Sequence, residues 1–249
     1  MDIFQSFSIT NQGLILLAAF IIGLAKAGLR GIELLNVTIM ALVFGSKAST
    51  GIVLPMLCFA DILAVIYYKR NVSWPLFWKL IIWMAIGIII GVMIGNDFDD
   101  SVFKKMFASI ILVIVAMMIF LETRKTEFAP KSILFQPVIG LIAGITTMIG
   151  NLAGPFSNIF FMAQRVPKDV FIGTAAWVFL VINFFKFPFQ IIFWNNINTS
   201  TLSLNLLMVP STMLGFFIGR KIVSKIKDQS YRKVVIALTI LGAGMIFVK

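Results

Sequence analysis

The sequence predicts an all-α membrane protein with two inverted repeats, each a broken or re-entrant helical hairpin followed by three transmembrane helices. Three observations support this fold class. First, 60% of the 249 residues are hydrophobic and only 12% are charged, which is typical of multi-span membrane proteins. Second, residues 123–249 repeat the pattern of residues 1–122. Third, each of these halves opens with an apolar run that is interrupted by glycines.

Similar residues recur at a constant distance along the chain. Gly28, Asn36, Gly51 and Asp61 are followed 122 positions later by Gly150, Asn158, Gly173 and Asn183, and Gly91 and Gly95 are followed 124 positions later by Gly215 and Gly219. Such self-similarity indicates a duplicated structural unit. In membrane proteins, duplicated units are typical of secondary transporters, whose substrate site lies where the repeats meet.

Six apolar runs are long enough to span a membrane as helices. They are 48–68, 76–95 and 102–121 in the first repeat, and 169–191, 201–220 and 231–248 in the second. Two further runs, 13–44 and 133–164, are interrupted by GLAKAGLRG and GNLAGP. Because each arm is shorter than the ~20 residues needed to cross, each run is predicted to be either one broken span or a re-entrant hairpin.

The basic residues favour the hairpins, because cytoplasmic loops of membrane proteins carry an excess of Lys and Arg. If all eight segments cross, the basic residues at or near the segment ends divide eleven to seven between the two sides. If the broken segments are hairpins, fourteen face one side and only Lys47, Lys104, Lys105 and Lys249 face the other. Each repeat then has three spans, an odd number, so the repeats are inverted and both termini lie outside the cytoplasm.

Charged residues inside the apolar segments are the first candidates for a site, since each costs at least ~2.5 kcal/mol on insertion scales. They are Lys26, Arg30, Glu33, Asp61 and Lys186, with a formal excess of one positive charge. A cationic pocket suits an anion. Lys26 and Arg30 flank the first break, where a half-helix starting near Gly31 would present free N–H groups and the positive end of its dipole. The alternative is that both bases pair with Glu33 and only stabilise the break.

The second break carries neutral hydrogen-bonding groups. Asn151, Ser157 and Asn158 surround Gly154 and Pro155, and Asn36 is the first-repeat counterpart of Asn158. Such groups can replace the water around an oxyanion, and they can equally cap a half-helix. The residues predicted to bind the substrate are therefore Lys26, Arg30, Asn36, Asn151, Ser157, Asn158, Asn183 and Lys186.

Asp61 is the first candidate for ion coupling. It is the repeat counterpart of Asn183, and Lys186 lies one turn after Asn183 on the same helix face. The chain has no His that could titrate in its place. The alternative role for Asp61 is a buried partner of Lys186 or Lys26. Glu33 is the weaker candidate, because it lies close to Arg30 and Lys26 in the sequence and is more easily a fixed ion-pair partner.

Several function classes are excluded by what the sequence lacks. Without His and with Cys58 as its single cysteine, the chain offers no His metal site and no internal disulfide. No cofactor-binding motif is present, and GLAKAGLRG follows no predicted strand, which excludes a phosphate loop. The net charge of +11 is concentrated at the ends of apolar runs, which indicates loops facing anionic lipid and not a nucleic-acid surface.

Residues 153–190, AGPFSNIFFMAQRVPKDVFIGTAAWVFLVINFFKFPFQ, resemble the sulfite exporter TauE/SafE family, also called the toluene-sulfonate uptake permease family. The matching residues are Gly154, Pro155, Lys168, Gly173, Thr174, Asn183, Lys186 and Pro188, with Asp61, Tyr67-Tyr68-Lys69-Arg70 and Trp74 in the first repeat. The resemblance covers nearly the whole chain. GLAKAGLRG departs from the denser glycine cluster of many members. The resemblance implies transport of a sulfur-containing anion such as sulfite, a sulfonate or thiosulfate.

These observations together predict a multi-pass protein of a bacterial inner membrane that moves a small anion, such as sulfite or an organosulfonate, by alternating access. The alternative is a channel-like anion pore without a coupled conformational cycle. The expected partners are the anion, a proton or other coupling ion, and membrane lipid, with no nucleic acid. The oligomeric state stays open, homo-oligomers included. An enzyme is disfavoured because no nucleophile–base constellation is present.

Overall fold

A computed structural model describes residues 2–95 and 134–244, together with 101, 102, 105, 109, 110, 112, 113 and 116. All regular structure within these residues is helical. The predicted span at 102–121 lies largely outside the described residues, and so does the end of the predicted span at 231–248.

The helices follow a similar order in the two halves of the chain. The first half contains α1 (Asp2–Ser6), α2 (Ile9–Lys26), α3 (Glu33–Phe44), α4 (Ser46–Ile52), α5 (Leu54–Tyr68) and α6 (Trp74–Gly95), with a 3-10 turn at Lys69–Asn71. The second half contains α7 (Phe135–Gly150), α8 (Ala153–Ala163), α9 (Lys168–Ile192), α10 (Thr199–Lys225) and α11 (Asp228–Gly244). Each half thus begins its long helices with a pair, α2 and α3 or α7 and α8, separated by a short break.

Four described helices, α2, α6, α9 and α10, are long and apolar enough to cross a membrane, and α3 with α4 would add a fifth although they meet at 114°. Several helices begin or end at other residues than predicted, and two of these differences have a local cause. The α2 helix begins before the apolar run at 13 because the Ser8 side chain accepts a hydrogen bond from the Asn11 N–H at 3.3 Å and caps the helix at Ile9. The predicted span 48–68 is divided between α4 and α5 near Pro55, which has no N–H to continue the helical ladder.

The chain reverses direction at the first break, residues 27–32. The rings of Phe7, just before α2, and Phe44, at the end of α3, lie with centroids 5.3 Å apart. In one broken span these rings would be separated by the length of both helices, about 45 Å at 1.5 Å per residue. The α2 and α3 helices therefore form an antiparallel hairpin.

Glycine permits this reversal. Gly28 has a φ of 112°, a conformation that other residues rarely adopt. It ends α2 in a Schellman motif, in which the Gly28 N–H bonds the Ala25 carbonyl at 3.1 Å and the Leu29 N–H bonds the Leu24 carbonyl at 3.2 Å. At the second break, residues 151–152, the left-handed residue is Asn151, with a φ of 56°.

Two close helix pairs join the halves of the chain. The α2 helix packs on α10, and α7 packs on α6. A Cβ atom on Gly23 of α2 would collide with the α10 backbone at Thr212, and one on Gly144 of α7 would collide with the α6 backbone at Met84. Small residues therefore allow the backbones to approach closely, as in many membrane helix pairs.

Large apolar side chains are exposed on the outside of the molecule, while several ionisable side chains are buried. Met93, Leu206 and Leu241 are 73%, 72% and 64% exposed, whereas Lys26 and Lys186 are buried. This distribution is the reverse of that in a water-soluble protein and is suited to lipid, where ionisable side chains face the interior. The chain is therefore a multi-pass membrane protein.

Candidate functional site

A small cavity lies where the two breaks meet, and its volume is about 40 Å³. Its walls come from the first hairpin, from α5, from the second break and from α9. They are formed by Ala25, Lys26, Arg30, Glu33, Asn36, Val37, Leu57, Thr147, Asn151, Gly154, Phe179, Asn183 and Lys186. The structure thus brings together residues from both halves of the chain that are far apart in sequence.

Most of the residues selected from the sequence are at this cavity. Lys26, Arg30, Glu33, Asn36, Asn151, Asn183 and Lys186 border it directly. Asp61 contacts Lys26 and Asn183, and Asn158 contacts Glu33. Ser157 is fully buried beside Asn158 but does not border the cavity.

Asp61 connects the two halves of the chain beside the cavity. One carboxylate oxygen forms an ion pair with the Lys26 ammonium at 2.6 Å. The other accepts a hydrogen bond from the Asn183 side-chain amide, also at 2.6 Å. All three residues are buried. Of the two partners considered from the sequence, the structure places Lys26 against Asp61 and directs Lys186 elsewhere.

Glu33 is held by neutral donors. Its carboxylate accepts from the Gly31 N–H at 2.5 Å and from the Asn158 amide at 3.2 Å. It also packs so closely on Gly154 that a side chain there would collide with it. Among the described residues, no ion pair joins Glu33 to Lys26 or Arg30, contrary to the arrangement considered from the sequence. The α3 helix begins at Glu33, two residues after Gly31, and this carboxylate occupies the helix N-terminus that was predicted to face a bound anion.

Lys186 is directed at the end of α7. Its ammonium donates to the Thr147 carbonyl at 3.2 Å, to the Thr147 hydroxyl at 3.1 Å and to the Asn151 side-chain oxygen. The Asn151 amide in turn donates to the Thr50 carbonyl at 3.0 Å. Within the described part of the chain, no carboxylate lies within ion-pair distance of Lys186.

Arg30 is the charged residue at the site whose polar atoms have the fewest partners among the described residues. It is only 2% exposed, and its Nε and Nη2 atoms have no hydrogen-bond partner among the described residues. Its guanidinium carbon lies 5.0 Å from the centre of the Phe179 ring, and the Lys26 ammonium lies 4.6 Å from the same ring. A guanidinium stays charged in proteins. Cation–π contacts of about 2 kcal/mol when desolvated only partly offset its burial.

Comparison with models of known protein families identifies the family of the chain. The family model described as "Sulfite exporter TauE/SafE" matches residues 15–246. The chain belongs to the sulfite exporter TauE/SafE family. No curated protein and no solved structure gives a match. The resemblance inferred from residues 153–190 is thereby confirmed, and membership of the TauE/SafE family supports a membrane transport protein and not an enzyme.

Among the cavity residues of this TauE/SafE protein that were not identified from the sequence, Thr147 and Phe179 make the most specific contacts. Thr147 accepts hydrogen bonds from Lys186, and Phe179 contacts both Lys26 and Arg30. The repeat relates both residues to other residues at the cavity. Thr147 follows Ala25 by 122 positions and Phe179 follows Leu57 by the same distance, and all four residues border the cavity.

The basic and amide groups at the cavity can attract an anion. Arg30 supplies two unpartnered nitrogen atoms, Lys186 supplies an ammonium group, and Asn151 and Asn183 supply neutral amide groups. Charge-assisted hydrogen bonds from such groups are shorter and stronger than those between neutral groups. The oxygen atoms of an oxyanion are acceptors suited to these donors.

Proposed function

We propose that the chain is a secondary transporter of a small sulfur-containing anion, such as sulfite or an organosulfonate, and that the anion binds in the cavity between the two breaks. The observation that carries this proposal is Arg30, a buried guanidinium that borders the cavity and whose Nε and Nη2 atoms lack an acceptor among the described residues. A bound oxyanion would supply both the acceptor and the counter-charge.

The charges around the cavity support an anionic substrate. The site contains three basic and two acidic side chains, and Asp61 is already matched by Lys26. Glu33 is held by neutral donors, so Arg30 and Lys186 are the bases without a carboxylate partner in the described structure. An anion that contacts Arg30 and Lys186 together would link the first hairpin to α9.

Reciprocal contacts support inverted repeats and therefore alternating access. Gly51 packs against Gln190 and Asn196, while Gly173 packs against Tyr68 and Asn71. Gly51 and Gly173 are 122 positions apart, and so are Tyr68 and Gln190. This exchange of partners is what a two-fold relation between the halves produces. Inverted repeats that rock around a fixed site give alternating access.

Coupling is proposed to use a proton carried by Asp61, with Glu33 as the other candidate. Asp61 joins Lys26 to Asn183 across the two halves, and Glu33 joins Gly31 to Asn158 across the two breaks. A change of charge at either carboxylate would weaken a contact between the halves. Such a change could therefore be linked to rocking.

The central experiment compares Arg30→Met with Arg220→Met. Arg220 is exposed, and its guanidinium lies over the Tyr67 ring outside the cavity, so it controls for loss of an arginine. In thermal-shift measurements we expect sulfite to stabilise the wild type and Arg220→Met, because ligands that bind the folded state raise its apparent stability. We expect Arg30→Met to fold but to lose affinity by about tenfold or more.

Transport in proteoliposomes distinguishes the mechanisms. A transporter should accumulate sulfite against its gradient when a proton gradient is applied, whereas a channel-like pore should only equilibrate it. The proposal is contradicted if the wild type binds none of sulfite, thiosulfate and organosulfonates. It is also contradicted if Arg30→Met binds as tightly as Arg220→Met.

A further inference from the structure

We infer that the cavity accepts a small inorganic oxyanion and that Phe179 is the specificity-determining residue that excludes the organic group of a larger sulfonate. This inference rests on the proposed function, and it narrows the substrate from sulfur-containing anions in general to those without a bulky substituent. It is carried by the volume of the cavity, by the position of the Phe179 ring and by the polar groups on the remaining walls.

The volume limits the size of the occupant. The cavity measures about 40 Å³. By comparison, an apolar cavity of ~150 Å³ in another protein holds one benzene molecule. The cavity is therefore much too small for an aromatic ring. A larger occupant would have to displace Arg30 from its contact with Phe179 and Lys186 from its contacts with Thr147.

The Phe179 ring is held in a fixed place. It is buried, and it contacts the Lys26 ammonium and the Arg30 guanidinium, which both approach from the first hairpin. Phe179 also belongs to the same helix as Asn183 and Lys186, four and seven residues later, so the three side chains share one face of α9. Movement of the ring away from the cavity would break both cation–π contacts.

The other walls offer little to an organic group. Lys26, Glu33, Asn151 and Lys186 present polar atoms that already have hydrogen-bond or ion-pair partners. An apolar substituent placed there would leave these groups without water and would gain no contact in return. Among the described residues that border the cavity, Phe179 has the largest apolar side chain. Its counterpart in the first repeat, Leu57, is smaller.

The test compares sulfite with benzenesulfonate in sulfite-exchange assays in proteoliposomes. In the wild type, we expect unlabelled sulfite to inhibit exchange of labelled sulfite and benzenesulfonate to inhibit at least about tenfold more weakly. Phe179→Ala should strengthen inhibition by benzenesulfonate by about tenfold or more. Phe179→Leu, the milder change, should also strengthen inhibition by benzenesulfonate, but by a smaller factor.

Phe171→Ala is the matched control. Phe171 is a buried phenylalanine two turns earlier on α9, and it contacts Phe161 and Tyr231 away from the cavity. We expect this variant to discriminate between the two anions as the wild type does. If Phe179→Ala does not fold, Phe179→Leu and the discrimination by the wild type still test the inference.

The outcomes separate this inference from the proposed function. If benzenesulfonate inhibits the wild type as strongly as sulfite does, the size limit is wrong while anion transport stands. If the wild type prefers sulfite to benzenesulfonate and both Phe179 variants show the same preference, Phe179 does not determine the specificity. If neither anion binds the wild type, the proposed function fails and this inference fails with it.

Discussion

Asn183 donates a 2.6 Å hydrogen bond to Asp61, the residue that occupies the equivalent position in the first sequence repeat, 122 positions earlier. The second carboxylate oxygen of Asp61 lies 2.6 Å from the ammonium of Lys26. Two equivalent positions can contact each other directly only if they lie where the halves of the chain meet. The pair therefore marks the boundary between the halves, next to the proposed substrate site.

The ion pair of Asp61 with Lys26 leads to a prediction about stability. Asp61→Asn should destabilise the protein by about 3–5 kcal/mol, because it leaves the Lys26 ammonium buried without a counter-charge. Asp61→Asn combined with Lys26→Met should recover much of this loss, since it removes both charges. Thermal unfolding in detergent measures both effects. A double variant that is less stable than Asp61→Asn alone would show that the two residues do not act as a pair.

A prediction about coupling uses the same residue. Asp61→Asn mimics the protonated acid, so the variant should still exchange sulfite between equal pools but should lose accumulation driven by a pH gradient. Glu33→Gln is the matched comparison, because it removes the charge of the other acid at the site and keeps the size and shape of the side chain. If Asp61→Asn accumulates sulfite undiminished and Glu33→Gln does not, the coupling proton belongs to Glu33. If both accumulate it normally, another ion is coupled.

Lys186 should matter more for binding than for folding. Lys186→Met keeps the length and removes the charge, so we expect loss of sulfite binding. We also expect a moderate loss of stability, about 1–3 kcal/mol, because Thr147 and Asn151 lose a buried donor. Lys79→Met, at an exposed position on α6, is the control and should leave binding intact. Normal binding and transport by Lys186→Met would reduce Lys186 to a structural role.

Gly23 and Gly13 offer a matched test of the contact between α2 and α10. Gly23→Ala should destabilise the protein by about 1–3 kcal/mol, because its new methyl group would meet the backbone of Thr212. Gly13→Ala, on the same helix but with no atom within 4 Å of the new methyl group, should be neutral or slightly stabilising. Equal melting temperatures for the two variants would contradict the close approach of these helices.

The proposed orientation predicts which loops can be labelled from each side. Both termini should lie outside the cytoplasm and the loops at 69–75, 122–132 and 221–230 inside, because this arrangement gives the strongest bias of basic residues. Single cysteines can be introduced into a Cys58→Ser background and labelled with a membrane-impermeant thiol reagent. The labelling shows which side of the membrane each segment faces. Labelling of the 44–48 and 69–75 segments from the same side would overturn the topology.

The sequence by itself determined the membrane class, the helical secondary structure and the positions of the two breaks. These are local properties, because hydrophobic runs set the helices, and Gly28 and Asn151 permit the backbone to leave a helix in the left-handed conformation. The duplication also pointed to the site, since Asp61 and Asn183, which are 122 positions apart, lie in contact beside the cavity. Family membership could be inferred from residues 153–190 for the same reason, because the motif is continuous in the chain.

The tertiary structure alone decided which charges are paired with an opposite charge and which are not. Sequence distance favoured an ion pair of Glu33 with Arg30 or Lys26, because these residues lie within two helical turns. The reversal of the chain at the first break instead turns Glu33 towards Asn158 and sends Lys26 to Asp61. It also leaves the Arg30 guanidinium against Phe179 at the cavity. Charge pairing in a low-dielectric interior depends on distances of a few ångströms between helices, and those distances arise only when the helices pack.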